Sequence, residues 1–125
     1  MKLASILISA IIAVAAPAVH AHAEHGQPQH GGIYGEAGVF QAELVLKETQ
    51  LTLYISNHGE PVATKGAKGK LTVLGKDGKI EVTLQPAGND QLVATLPSKP
   101  AKGSKAVASI TLAGGKPANI KYTLD

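Results

Sequence analysis

Histidine is the residue type in this chain best suited to chemistry, and its distribution is uneven. Four of the five histidines fall between residues 20 and 30, and the fifth is His58. Because neutral imidazole is the commonest protein metal ligand and suits borderline divalent ions, the cluster predicts a site for copper, zinc, nickel or cobalt. Histidines that only make a polar segment soluble are the alternative. The candidate metal ligands are His25, His30, His58 and Glu60.

The composition limits both the metal and the partner. The chain has no cysteine, and Met1 is its only methionine, so the soft ligands that monovalent copper prefers are missing. All twelve basic residues are lysines, there is no tryptophan, and tyrosine and phenylalanine total four. Because bidentate arginine contacts and stacking aromatics are largely absent, we expect no nucleic-acid partner. The lysines predict a solvated surface, with a specific acidic partner as the alternative.

An enzymatic function is not expected. Ser56 and His58 are two positions apart on one predicted strand, but no acidic residue is placed to orient the histidine and no oxyanion hole is indicated. We therefore expect no catalytic residues and no organic cofactor.

The first 23 residues predict export. Met1 and Lys2 precede an apolar run from Leu3 to Ala16, which is shorter than the roughly 20 residues that a membrane-spanning helix needs. Small residues that suit cleavage follow, and the mature chain begins after Ala21 or after Ala23. We therefore expect a periplasmic protein with a cleaved signal peptide over residues 1–23 and no stable membrane insertion after cleavage.

Short alternating runs separated by glycine-rich turns predict an all-β fold. Residues 24–38 are polar and without a period, which indicates a flexible N-terminal segment containing histidine. Residues 39–125 contain about seven runs in which apolar and polar side chains alternate. This spacing predicts a single antiparallel β-sandwich, immunoglobulin-like or Greek-key in its connections.

The first two runs can be paired from the sequence. A tight turn between them brings their apolar residues opposite one another and places Glu43 opposite Tyr54. The same register places His58 opposite Val39, beside the start of the first run, where the segment carrying His30 arrives. Since opposed side chains have Cβ atoms roughly 5 Å apart, we expect His58 to be a neighbour of the N-terminal histidines.

Short pieces of the sequence between about residues 30 and 75 resemble a known pattern. They are His30-Gly31-Gly32, Glu43-Leu44-Val45, Leu53-Tyr54, His58-Gly59-Glu60-Pro61 and Gly66-Ala67. Together they resemble a small periplasmic domain associated with heavy-metal efflux, which also occurs near the N-terminus of some membrane-fusion (adaptor) subunits of metal efflux pumps. The resemblance implies binding or delivery of a transition metal to a periplasmic component of such a pump, with His30 and His58 as ligands and Glu60 beside them.

A weaker resemblance is to small periplasmic copper-resistance proteins, which are also seven-stranded and some of which begin with histidine. Together the sequence predicts a periplasmic binding protein for a divalent transition metal, accessory to metal homeostasis or efflux. The alternative is a metal-free interaction or structural module that docks through lysine-rich loops or an exposed edge strand.

Overall fold

The computed structural model describes residues 27–125, and this part of the chain forms strands joined by turns and loops. Within it, no helix is long and apolar enough to cross a membrane. The predicted signal peptide and His25 lie outside the described residues. The strands, in chain order, are β1 (Ile33–Glu36), β2 (Gln41–Lys47), β3 (Gln50–Asn57), β4 (Glu60–Pro61), β5 (Lys68–Gly75), β6 (Gly78–Ala87), β7 (Gln91–Thr95), β8 (Lys105–Thr111) and β9 (Ala118–Thr123).

All strand pairs are antiparallel, which confirms the predicted class. The order across the sheet is β1-β2-β3-β7-β6-β5-β8-β9, and the short β4 pairs with β3. After the β5–β6–β7 meander the chain returns to place β8 beside β5, which is a Greek-key connection.

The strands form one continuous sheet that curls nearly into a barrel, whereas the sequence predicts a sandwich of two sheets. The long strand β6 makes the sheet continuous. Its first part, up to Leu84, pairs with β5, and its last part, from Gln85 to Ala87, pairs with β7. Because β6 pairs with β5 along one part of its length and with β7 along the other, the sheet bends at β6 and is not interrupted there.

The first and last strands of the sheet meet through a glycine. A Cβ atom at Gly35 of β1 would collide with the side chains of Ile120 and Tyr122 on β9. The missing side chain therefore lets the two strands approach closely. The buried hydroxyl of Tyr122 donates a hydrogen bond of 2.9 Å to the carbonyl oxygen of Ala42 on β2. This bond ties the last strand to the second across the interior.

The seven predicted runs all form strands, and the structure adds β1 and β4. Strand β1 lies inside residues 24–38, which the sequence predicts to be irregular. Its residues are extended because their backbone pairs with β2, from Ile33 opposite Leu44 to Glu36 opposite Gln41. Backbone pairing of this kind needs no apolar alternation, so the pattern does not reveal it.

The interior is filled by the alternating apolar residues of the seven runs. In the first hairpin, Leu44 faces Leu53 and Glu43 faces Tyr54, which confirms the predicted register. Burying each leucine contributes about 1.5–3 kcal/mol, so a slip by one residue, which would turn this face outward, is strongly disfavoured. The largest fully buried side chains are Phe40, Leu44, Leu51, Leu53, Ile55, Thr64, Leu71, Val73, Leu84, Leu92, Leu96 and Ile110.

Candidate functional site

The most unusual side chain of the described chain is the carboxylate of Glu43. It lies on the outer face of β2, yet the residue is only 5% exposed. Residues 27–32, here called the N-terminal strap, cross over it. The carboxylate accepts hydrogen bonds from the backbone N–H groups of Gln29 at 2.8 Å, His30 at 2.8 Å and Gly32 at 2.7 Å. The alternating pattern places this residue on the polar face of the strand, and the structure shows that it anchors the strap to the sheet there.

Two glycines shape the strap around the carboxylate. Gly31 has φ of 74°, a left-handed conformation that side chains disfavour. At Gly32 a Cβ atom would collide with the carbonyl oxygen of Leu44 and lie 2.8 Å from Cγ2 of Val45. The His-Gly-Gly sequence therefore has a local reason. It lets three nearby backbone N–H groups converge on one carboxylate, much as backbone nests bind anions.

The environment of Glu43 holds its carboxyl group in the ionised form. Burial has the largest effect and by itself raises the pKa. The hydrogen bonds from the His30 side chain and from the backbone of Gln29, Gly32 and His30 together outweigh it, so the pKa is lowered from its ordinary value of 4.5. Since an ionised carboxylate can only accept hydrogen bonds, every contacting group must donate to it.

That requirement fixes the tautomer of His30. Its Nδ1 atom lies 3.0 Å from Oε1 of Glu43, so Nδ1 carries the proton and Nε2 keeps its lone pair when the ring is neutral. The ring also stacks on Tyr54, with 3.6 Å between the ring centroids and 5° between the planes. The side chain nevertheless remains 42% exposed. The imidazole is thus held on one edge and one face, and part of it is open to solvent.

A small pocket of about 90 Å³ adjoins this ring. Strands β1, β2 and β3 supply its walls through Tyr34, Glu43, Tyr54 and Ser56, and the strap and the turn before β4 supply its rim. Its polar lining consists of hydroxyl, amide and imidazole groups and the carboxylate of Glu43. The lining residues are Gln27, Gln29, His30, Tyr34, Glu43, Tyr54, Ser56, Gly59 and Pro61.

His58 is not in the strand position that the sequence predicts. Strand β3 ends at Asn57, which pairs with Glu60, so His58 and Gly59 form a two-residue turn. Both have positive φ, 53° and 85°, as a type I′ turn requires. The expected pairing with Val39 is therefore wrong, because the tight turn reverses the chain first. The backbone N–H of His58 instead donates a 2.9 Å hydrogen bond to Oε1 of Gln41 on β2.

The predicted ligands are brought together only in part. His30 lies in the pocket, while Gly59 and Pro61 bring the turn that carries His58 and Glu60 to its rim. His58 and Glu60 themselves are not in the lining, and both residues are exposed. Among residues 27–125 there is no group of three or more histidine, aspartate or glutamate side chains placed to hold a metal ion.

Sequence reasoning missed Glu43 as a member of the site. The signal was present, because the confirmed hairpin register already places Glu43 opposite Tyr54 on one face. What the alternating pattern lacks is any sign that the strap covers that face.

In comparisons with known proteins, no family model matches the chain, and neither a curated protein nor a solved structure matches it.

Proposed function

We propose that the protein is a periplasmic binding protein for a divalent transition metal, with Nε2 of His30 as a ligand. The observation that carries this proposal is the 3.0 Å contact between Nδ1 of His30 and the buried carboxylate of Glu43. Histidines that ligate metals almost always donate their other ring N–H to a carboxylate, a carbonyl or water. The carboxylate fixes the tautomer and the orientation of the ring, so Nε2 keeps the lone pair that a cation needs.

The surroundings of the ring favour a small hydrated cation over a larger ligand. The pocket is small, and its hydroxyl and amide lining can hydrogen-bond to the waters of a bound ion. Stacking on Tyr54 removes rotamer freedom from the imidazole before any ion binds. Less entropy is then lost on binding.

A complete site needs ligands beyond His30, and the predicted ones remain the best candidates. His58 and Glu60 belong to the turn that reaches the pocket rim, and His25 lies just before the strap. Nitrogen and oxygen donors of this kind suit copper(II), zinc, nickel or cobalt. Because some ligands must be ordered on binding, we expect modest affinity. By the resemblance described above, the cargo would be passed to a periplasmic component of a metal efflux pump.

The test is calorimetric titration with Cu(II), Ni(II) and Zn(II). The variant His30→Phe keeps an aromatic ring on Tyr54 but has no ligand atom, so it should bind at least tenfold more weakly than the wild type. Glu43→Gln should weaken binding by about 10- to 100-fold, as loss of an outer-shell carboxylate does elsewhere. Glu36→Gln, an exposed carboxylate on β1, is the matched control and should leave affinity unchanged.

Two further measurements separate the ligands. His58→Ala should also weaken binding, whereas a peptide of residues 24–36 should bind less tightly than the whole protein. Binding should decline as the solution is made acidic, because protonated imidazole cannot ligate. Absence of heat from the wild type with all three ions would overturn the metal proposal. Equal affinity of the peptide and the protein would place the site in the N-terminal segment alone.

A further inference from the structure

A second surface lies far from His30, on the outer face of strands β6, β5, β8 and β9. Along these strands the inward residues are buried, as Leu71 and Val73 are in β5, and the alternate residues point outward. Five of the outward residues are exposed lysines. They are Lys68, Lys70, Lys79, Lys105 and Lys121.

The strand register brings these lysines onto one continuous face. Leu74 pairs with Lys79 on one side and with Lys105 on the other. Farther along the face, Val107 pairs with Lys121. Neighbouring strands lie about 4.8 Å apart, so four strands hold this set within roughly 15 Å across the sheet. The lysines are interspersed with serine and threonine, and Lys79 and Lys105 flank Leu74, which is 47% exposed.

The charge of this face exceeds that of the entire chain. Its only acidic residue is Glu81, whose carboxylate lies 3.7 Å from Nζ of Lys79. Five lysines against one glutamate give a net charge of +4, compared with a formal +3 for all 125 residues. The remaining surface is therefore slightly negative in sum. Such an asymmetry orients the molecule in the field of an anionic surface.

We propose that this face docks on an anionic phospholipid surface. Its cations are all lysines, which are compact, strongly hydrated point charges, and it carries no arginine or aromatic residue on its outward positions. Cores of protein–protein interfaces are enriched in arginine and aromatic residues and depleted in lysine. The composition therefore suits a diffuse layer of headgroups better than a specific protein pocket. Exposed Leu74, between Lys79 and Lys105, adds an apolar contact near one end of the face.

Docking in this way leaves the pocket of His30 accessible. In the strand order, β7 and β6 lie between β3 and β5, while β9 lies between β8 and the first strand, β1. Strands β5 and β8, which carry three of the five lysines, therefore lie across the nearly closed sheet from β2. The inference does not depend on the metal proposal, because the two surfaces share no residue.

The experiment is co-sedimentation of the purified protein with vesicles of equal parts phosphatidylglycerol and phosphatidylcholine. Each lysine near such a membrane changes affinity roughly fivefold at low salt. The face variant Lys70→Gln, Lys105→Gln, Lys121→Gln should therefore bind about 100-fold more weakly than the wild type. The matched control removes the same charge from turns and loops, with Lys76→Gln, Lys99→Gln and Lys102→Gln, and should lose much less. All six lysines are exposed, so the two triple variants should unfold at the same midpoint as the wild type.

The salt dependence and the competing partners complete the test. Vesicle binding by the wild type should weaken steeply as the salt concentration rises from about 10 mM to several hundred mM, because the Debye length shortens. Equal binding to pure phosphatidylcholine vesicles would overturn the proposal. An equal loss in both triple variants would show net charge alone to be responsible, and would also overturn it. Binding to duplex DNA or to an acidic protein, with none to the anionic vesicles, would assign the face to that partner instead.

Discussion

Replacing Glu43 by glutamine tests the central feature of the site. The side chain keeps its size and its position on β2, but the carboxylate charge is lost. In the wild type, four N–H groups donate to the carboxylate, three from the backbone of the strap and one from the ring of His30. Glutamine can accept at one oxygen, while its amide group would point N–H bonds at the backbone N–H groups that remain.

The expected magnitude follows from these contacts. Hydrogen bonds to a charged acceptor contribute about 1.5–3 kcal/mol each, against about 0.5–1.5 kcal/mol for neutral pairs. Two effects reduce the loss of stability. A glutamine side chain costs less free energy to bury than a carboxylate does, and the exposed strap can detach from the sheet so that its N–H groups bind water. We therefore expect about 2 kcal/mol of lost stability. With a urea m-value of about 1–2 kcal/mol/M, the unfolding midpoint should fall by about 1–2 M.

The assay combines urea unfolding with backbone amide exchange. The amide hydrogens of Gln29, His30 and Gly32 should be protected in the wild type and should exchange much faster in Glu43→Gln. Glu36→Gln is the control, because Glu36 is exposed on the neighbouring strand. If Glu43→Gln and Glu36→Gln unfold at the same urea concentration with equal exchange in the strap, the carboxylate does not hold the strap and the reasoning fails.

The pH dependence gives this prediction a definite sign. The pKa of Glu43 is lowered in the folded state, so its contribution is fully present above the ordinary value of 4.5. The contribution is lost as pH falls below that value and through the folded pKa. The difference in unfolding free energy between the wild type and Glu43→Gln should therefore be constant near neutral pH and shrink in acid.

Two further predictions concern the closure of the sheet. Gly35→Ala should destabilise the fold by about 1–3 kcal/mol, because its Cβ collides with Ile120 and Tyr122. Gly115→Ala is the comparison, since its φ is not positive and its Cβ would lie no closer than 3.4 Å to any atom. Equal unfolding midpoints of the two variants would argue against the close approach. Tyr122→Phe should cost about 1 kcal/mol at neutral pH, through loss of the hydrogen bond to Ala42. Burial raises the pKa of Tyr122 above its ordinary value of 10.0, so the contribution of its neutral phenol to stability is fully present below pH 10 and is lost as pH rises beyond it. The stability of the wild type should therefore decline above pH 10 more steeply than that of Tyr122→Phe. Identical alkaline unfolding curves of the two proteins would contradict this.

Much of the fold follows from the alternating pattern alone. The seven runs and the register of the first hairpin can be predicted, because each strand has one face that must be buried and a slip by one residue would expose it. The sequence Gly75-Lys76-Asp77-Gly78 is typical of a hairpin turn, and in the structure Lys76 and Asp77 form a turn between the paired residues Gly75 and Gly78. These features depend on residues close together in sequence or on one alternating face.

What the pattern could not give depends on contacts between segments. Strand β1 exists because β2 offers it a backbone edge, and the sheet is continuous because β6 is shared between two partners. The burial of Glu43 arises in the same way, since the strap that covers it carries no apolar signal. For His58 the local turn overrides the extrapolated register, because Gly59 allows a reversal one residue earlier than the strand pattern implies.

The same contacts bear on whether a metal site would belong to the folded domain or to the N-terminal segment alone. In a free peptide, His30 would have to be fixed in one rotamer and one tautomer at the moment of binding, which costs conformational entropy. In the folded chain, Glu43 and Tyr54 have already fixed both, and burial of the carboxylate is offset by the backbone donors of the strap. The contact between this carboxylate and Nδ1 leaves the ring 42% exposed, as the proposed ligand role of Nε2 requires. The domain should therefore bind more tightly than the peptide, and this advantage should disappear in Glu43→Gln.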